Sequence, residues 1–343
     1  MRPSEHGSAG EAGAPSPDLR SDAGQKTVLR VSGLTVGTDN VDLVIDVSFS
    51  IERGETLCLV GESGCGKSVT CLAAMGLHSE PVRRKAGSVA LFDETLSEMT
   101  ERQLAPIRGR DVAMIFQDPA ASLNPVQRVG RQVAEVLVVH RSLSWRAAHE
   151  QAIALLGEVG IPHPADRADA YPHQLSGGMC QRVMIAMALA CRPKLIIADE
   201  ATTALDVTTQ AQILRLMRTL QRETGTAMIF VTHDLSVVAE IADRVAVMYS
   251  GRIVESASAD ELFDHPAHPY TRGLMDCRLD AHAPVADRLR AIEGTVPGPA
   301  ARPAGCAFRT RCSKARAVCA ETPQLRWRAG SQAVACHFPE SLQ

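Results

Sequence analysis

The sequence predicts an α/β protein: a mainly parallel sheet covered on both faces, followed by a small irregular C-terminal part that carries cysteines. Three observations lead there. Short apolar runs of strand length alternate with segments of helical periodicity from Leu57 to Tyr249, and that alternation builds parallel sheets between covering layers. A glycine-rich loop, "GESGCGKS" (Gly61 to Ser68), lies between an apolar strand and a helix-like stretch. Cys306, Cys312, Cys319 and Cys336 crowd into a C-terminal segment with few large apolar residues.

The bulk numbers set limits. With 343 residues the chain can support one large core plus a smaller unit, because single cores stop growing at about 250 to 300 residues. A net charge of -3 supplies no basic field, so nucleic acid is not an expected partner. No stretch approaches the roughly 18 to 20 apolar residues of a membrane span, and the N-terminus lacks the order of a signal peptide. The expected place is the cytoplasmic side, with a peripheral seat on a membrane complex open. Ten cysteines in a chain this long and 45% hydrophobic read as reduced thiols rather than a disulfide scaffold.

In chain order, residues 1–26 ("MRPSEHGSAGEAGAPSPDLRSDAGQK") offer almost nothing to bury and read as a disordered leader. Short apolar runs follow from Thr27 to Val60. Val47, Phe49 and Ile51 alternate with Ser48 and Ser50 at strand period, and Leu57 to Val60 is an apolar strand feeding the glycine loop. "SVTCLAAMGL" is helical in pattern. A buried strand is expected at Val112 to Phe116. A polar, helical stretch over roughly 129–170, with Val133, Val136 and Leu137 at helical spacing, then interrupts the rhythm. It resumes with helix 177–190, strand Leu195 to Ala198, helix 207–222, strand 227–231, helix 235–242 and strand 244–249. "DHPAHPYTRG" opens the final part. There His265 and His268 flank prolines and read as turn residues, and Arg309 and Arg311 read as solvated loop charge.

Two motifs carry chemistry. In the glycine loop, Gly61, Gly64 and Gly66 let backbone amides approach phosphate oxygens, and Glu62, Ser63, Cys65 and Val69 complete the expected nucleotide contacts. Lys67 is expected on the β and γ phosphates and Ser68 on magnesium. "LIIADE" ends a buried strand in two carboxylates: Asp199 to hold Mg2+ and Glu200 to orient or deprotonate water. An acidic strand end alone is more often plain surface. Its pairing with a Lys-Ser phosphate loop in strand-helix context favours the functional reading.

With "LSGGMCQR", "IFQDP", "ATTALD" and "VTHDL" added in the right order, the chain resembles the nucleotide-binding subunit of an ATP-binding cassette (ABC) transporter over about 230 residues. The resemblance implies a P-loop ABC ATPase domain over 27–256 that adds an antiparallel β subdomain and a helical subdomain at about 118–190 to the parallel core. It implies that Ser176, Gly177 and Gly178, at the start of a helix, serve the ATP on a neighbouring cassette, so two subunits clamp two nucleotides head to tail. By the same resemblance Gln117 meets Mg2+ and the attacking water, His233 contacts the γ phosphate and Asp206 lies at the dimer seam. The plain alternatives are a surface glutamine, a structural histidine and a helix N-cap. Two departures stand out: Gly37 and Thr38 where the family places an aromatic ring for adenine, and Ala201 where it places proline.

The stretch from Leu175 to Leu214 is similar to cassettes of bacterial dipeptide and oligopeptide importers, and "HPAHPYTRGLM" with "EGTVPGPAARPAGCAFRTRC" resembles the extension of that group, here 257–343. The implied partners are a second, different cassette, two transmembrane permeases and an extracytoplasmic solute-binding protein. The implied location is the cytoplasmic face of the bacterial inner membrane. Nickel or another small solute is the alternative cargo, and a soluble non-transport ABC ATPase the alternative class. Some relatives with this extension hold a 4Fe-4S cluster, which would place Cys306, Cys312, Cys319 and Cys336 as its ligands; zinc with His337 as a substitute ligand, or four free thiols, are the other readings.

Overall fold

Five consecutive residues, Thr56–Val60, are buried without exception, as a parallel strand covered on both faces requires. The structure is a computed structural model that describes residues 26–201, 206–277, 292–328 and 330–340; the expected leader therefore lies almost wholly outside the described residues. The described strands are β1 (Thr27–Gly37), β2 (Asp42–Glu52), β3 (Thr56–Val60), β4 (Arg83–Leu91), β5 (Glu94–Thr95), β6 (Val112–Ile115), β7 (Leu195–Asp199), β8 (Ala227–Thr232), β9 (Arg244–Tyr249), β10 (Arg252–Ser258), β11 (Arg326–Trp327) and β12 (Ala333–Val334).

They form two sheets. The larger has the order β11-β12-β10-β9-β3-β8-β7-β6, parallel from β9 to β6 and antiparallel beyond β9. The smaller, β2-β1-β4-β5, is antiparallel. Side-chain alternation along the parallel strands divides the interior in two. Leu57 and Leu59 of β3, with Leu195 and Ile197 of β7, pack against Val31, Leu34, Val36, Val47 and Ile51 of the small sheet. Their neighbours Cys58, Val60, Ile196 and Ala198 pack on the other face against Val133, Leu137, Leu156, Val183 and Ile185. The parallel sheet is thus covered by a second sheet on one face and by helices on the other.

The helical layer consists mainly of Val129–Arg141, Trp145–Glu158 and Gly177–Leu189. Ser144 caps the second by accepting from the Ala147 amide, and Ser176 caps the third by accepting from Met179, each at 3.3 Å. Strand β4 has no apolar run to announce it: in RRKAGSVAL only Val89 and Leu91 are buried.

The chain after β10 folds back onto the large sheet. Fully buried Glu255 accepts from the amides of Ala267 and His268, each at 2.8 Å, and from Gln332 Nε2 at 2.9 Å. Burial pushes its carboxyl above the usual range while those donors oppose the shift. His268 is 1% exposed, caps the helix Pro269–Asp276 and accepts from the Tyr270 amide at 3.0 Å. The rings of Tyr249, Tyr270 and Phe308 meet with centroids 4.7 to 5.4 Å apart, a geometry that adds favourable edge contacts to simple burial.

Candidate nucleotide site

Because β3, β6, β7 and β8 are parallel neighbours, whatever follows each strand emerges at one edge, the usual ligand crevice of such sheets. After β3 comes the phosphate loop. Gly61, Gly64 and Gly66 take φ values of 150°, 77° and 107°, a region nearly closed to other residues. At Gly61 a Cβ would also lie 2.3 Å from the Met248 carbonyl oxygen. Lys67 opens the helix Lys67–Ala74 and is only 5% exposed. Its Nζ donates to the carbonyls of Gly61 at 2.7 Å and Glu62 at 3.1 Å, which curls the ammonium back over the loop. Ser63 and Gly64 face solvent, while Cys65 is buried and its thiol is pushed up by that burial. Val69 is partly exposed in the first turn of the helix.

After β7 come the carboxylates. Asp199 is 5% exposed and accepts from Ser68 Oγ at 2.9 Å. Burial raises its carboxyl; the Glu200 charge adds to the rise, and the Ser68 hydroxyl and Lys67 oppose it. Glu200 has φ 49°, a strained backbone for a residue with a side chain. Its amide donates to the Val231 carbonyl at 3.0 Å, which fixes the turn to β8. Its side chain meets two others: Gln117 Nε2 donates to Oε2 at 2.8 Å, and His233 Nδ1 lies 3.3 Å from Oε1. Gln117 follows β6 and His233 follows β8, so three strand ends converge on one carboxylate.

Ala201 is fully buried, and its carbonyl accepts from Gln181 Nε2, a residue of the Ser176 helix that is itself 1% exposed. Sequence reasoning missed Gln181, although it sits inside the quoted "LSGGMCQR". Ser176 and Gly177 are exposed and Gly178 partly so, at the head of the helical layer, outside the cluster of Lys67, Ser68, Asp199, Glu200, Gln117 and His233. Asp206 caps helix Val207–Thr224, accepting from the Thr209 amide at 3.0 Å, and that bond holds its carboxyl below the usual range. The rest of the "ATTALD" loop, 202–205, lies outside the described residues. At the adenine position Gly37 makes a tight turn: a Cβ there would lie 2.2 Å from the Val41 carbonyl oxygen, and the Thr38 amide donates to that oxygen at 2.9 Å.

Arg311 departs from expectation. Instead of solvated loop charge, its side chain is 5% exposed and paired with Glu62 of the phosphate loop at 2.8 Å. The reason is local: a buried guanidinium needs a carboxylate and several carbonyls, and this corner supplies both.

The four C-terminal cysteines line one small cavity together with His268, Phe308 and His337. Burial, reinforced by the charge of Cys306, Cys312 and Cys319, pushes the Cys336 thiol up to about 11. Among the described residues no group of three or more His, Cys, Asp or Glu side chains is arranged to hold a metal ion. His337 Nε2 lies 3.1 Å from the Glu321 carbonyl oxygen.

A phosphate loop and two consecutive carboxylates at the ends of parallel strands, with a glutamine and a histidine on the second carboxylate, define a cassette-type P-loop ATPase. Comparison with known proteins gives the family. A family model described as "ABC transporter" matches residues 44–203, and one described as "Oligopeptide/dipeptide transporter, C-terminal region" matches residues 254–319. The chain is 48% identical over 294 residues to the dipeptide transport ATP-binding protein DppD of Escherichia coli (strain K12), covering 85% of this chain and 90% of that protein. It is 48% identical over 302 residues to the oligopeptide transport ATP-binding protein AppD of Bacillus subtilis (strain 168), covering 88% of this chain and 92% of that protein. Among solved structures, the dimeric post-hydrolysis state of the ATP-binding cassette MJ0796 bound to ADP and Pi matches with a TM-score of 0.62 and 26% identity, over 67% of this chain and 98% of that one. The chain belongs to the ATP-binding subunits of ABC transporters with an oligopeptide/dipeptide-type C-terminal region, and its activity is ATP hydrolysis. Among the described residues no helix is long and apolar enough to cross a membrane.

Proposed function

We propose that this chain is the motor subunit of an importer for dipeptides or oligopeptides, and that it hydrolyses ATP at the edge where β3, β6, β7 and β8 end. The carrying observation is the contact of Glu200 with both Gln117 and His233, beside the Ser68 to Asp199 pair. The amides of residues 61–66 and the Lys67 ammonium cradle the β and γ phosphates. Ser68 Oγ and Asp199 Oδ1 are adjacent hard oxygen donors, which suits a divalent cation. Mg2+ held by these oxygens and by Gln117 would offset phosphate charge. Glu200 accepts the proton of the attacking water, Gln117 orients that water, and His233 donates toward the γ phosphate. Exposed Ser176 and Gly177 and partly exposed Gly178 are free to meet the nucleotide of a companion cassette, and Asp206 stands close by in sequence to the loop at that seam.

The cargo reading rests on the names of the relatives and on the matching C-terminal region. It brings a second, different cassette, two permeases and an extracytoplasmic binding protein as partners, and a peripheral seat on the cytoplasmic face of the membrane. For the cysteine cavity we favour a 4Fe-4S cluster over zinc. What supports this reading is that all four thiols line one cavity and that four cysteine thiolates are the usual ligand set of such a cluster. Bound iron and sulfide in anaerobically purified protein support it; zinc or no metal counts against it.

The functional test is reconstitution of the complex in vesicles with ATP inside. Accumulation of labelled di- or oligopeptides is expected. ATP-driven uptake of nickel but no peptide would overturn the cargo.

A further inference from the structure

Glu62, the second residue of the phosphate loop, is held from outside the loop at both its side chain and its backbone. Arg311 Nη1 donates to Oε1 at 2.8 Å and Nη2 to Oε2 at 3.2 Å, the forked pairing that arginine makes and lysine cannot. The guanidinium is anchored in turn. Nε donates to the Glu293 carbonyl at 2.8 Å, and Nη2 to the carbonyls of Ile292 and Gly294 at 3.1 and 3.3 Å. It also lies 5.9 Å from the centre of the Tyr249 ring. On the backbone side, the Glu62 amide donates to the hydroxyl of fully buried Tyr270 at 2.9 Å. Both partners belong to the C-terminal region, 208 and 249 positions away in sequence.

We infer that Arg311 and Tyr270 are positioning residues of the ATP site, which make the C-terminal region a working part of the phosphate loop. The inference rests on the proposed role of that loop in binding ATP. Neither side chain touches the catalytic cluster; both act through Glu62. The Glu62 carbonyl is one of the two that receive the Lys67 ammonium, so the orientation of this peptide decides where the ammonium rests. Gly61 and Gly64, on either side of the Glu62-Ser63 pair, give the loop the freedom to accept phosphate and also to wander. A clamp at Glu62 removes that freedom before ATP arrives, and a site ordered in advance binds with less entropic loss.

The test is ATP-titrated hydrolysis by the assembled complex, with Arg311→Met, Arg311→Lys and Tyr270→Phe made in the wild-type and the Glu62→Gln backgrounds. Saturable hydrolysis by the wild-type complex comes first, and its absence would strike the ATP-site reading rather than the clamp. Given that, Arg311→Met raises KM for ATP about tenfold with kcat within about twofold, the pattern of lost ground-state binding. Arg311→Lys recovers part of the loss. In the Glu62→Gln background, Arg311→Met adds less, because the charge and the second acceptor of the fork are already gone. An equal rise in both backgrounds would mean that Arg311 only staples its own segment and would overturn the inference. If Arg311→Met does not assemble, Tyr270→Phe decides alone, since it deletes one oxygen: a KM raised about threefold supports the clamp, and an unchanged KM overturns it.

Discussion

Glu200→Gln changes one oxygen to an amide and keeps the size of the side chain, so it separates chemistry from binding. In the structure the carboxylate accepts from Gln117 at 2.8 Å and faces His233 at 3.3 Å. An amide can still accept through its one remaining oxygen but cannot take a proton from water. A positioned base contributes about 10²- to 10⁴-fold to rate, or about 2.7 to 5.4 kcal/mol of barrier at about 1.36 kcal/mol per tenfold. The Lys67 bonds to the loop carbonyls and the Ser68 to Asp199 bond are made without the Glu200 side chain. The variant should therefore lose at least about a hundredfold in kcat while it still binds ATP and accumulates in the nucleotide-loaded state. The assay is single-turnover hydrolysis by the purified complex alongside trapped-nucleotide measurement. A kcat within threefold of wild type, or loss of ATP binding in step with loss of rate, would refute the reasoning.

Gly61→Ala should abolish ATP binding without unfolding the chain, because its Cβ would sit 2.3 Å from the Met248 carbonyl and 2.8 Å from the Cys65 sulfur, so the loop must shift; calorimetric titration with ATP checks it. His268 gives a pH signature. Burial pushes its imidazole from 6.5 down to about 3, so the unfolded chain takes up a proton near pH 6.5 that the folded chain refuses until about pH 3. The stability owed to the neutral ring is complete above that upper value and is lost as pH falls through the window. His268→Asn keeps an acceptor for the Tyr270 amide, and its melting temperature should fall less steeply than that of wild type between about pH 6.5 and 4.5. Parallel slopes would contradict a neutral buried ring.

The parallel core was open to reading from sequence because its strands are mostly apolar: Leu195 to Ala198 has no polar residue to confuse the pattern. The Gln117, Glu200 and His233 meeting was legible only as motifs in order, since periodicity cannot say which strand ends are neighbours. Strand β4 escaped because only Val89 and Leu91 of its nine residues are buried. The pairing of β12 with β10 joins Val334 to Glu255, a contact set by folding back rather than by local pattern. Arg311 was misread for the same reason: nothing in "FRTRC" signals a carboxylate 249 positions upstream. Asp206 was legible as a cap from its place before "VTTQAQILRLM", and the structure supplies that bond. For the cysteines, spacing fixed their number but not that all four line one cavity.

The account depends most on ATP being shared between cassettes. The direct measurement is the structure of the assembled complex loaded with Mg2+ and a non-hydrolysable ATP analogue. It should show the triphosphate on Lys67 and Ser68 of this chain covered by the companion cassette, and Ser176 of this chain facing the companion's nucleotide. A triphosphate open to solvent on this chain, with the Ser176 helix facing no nucleotide, would contradict it.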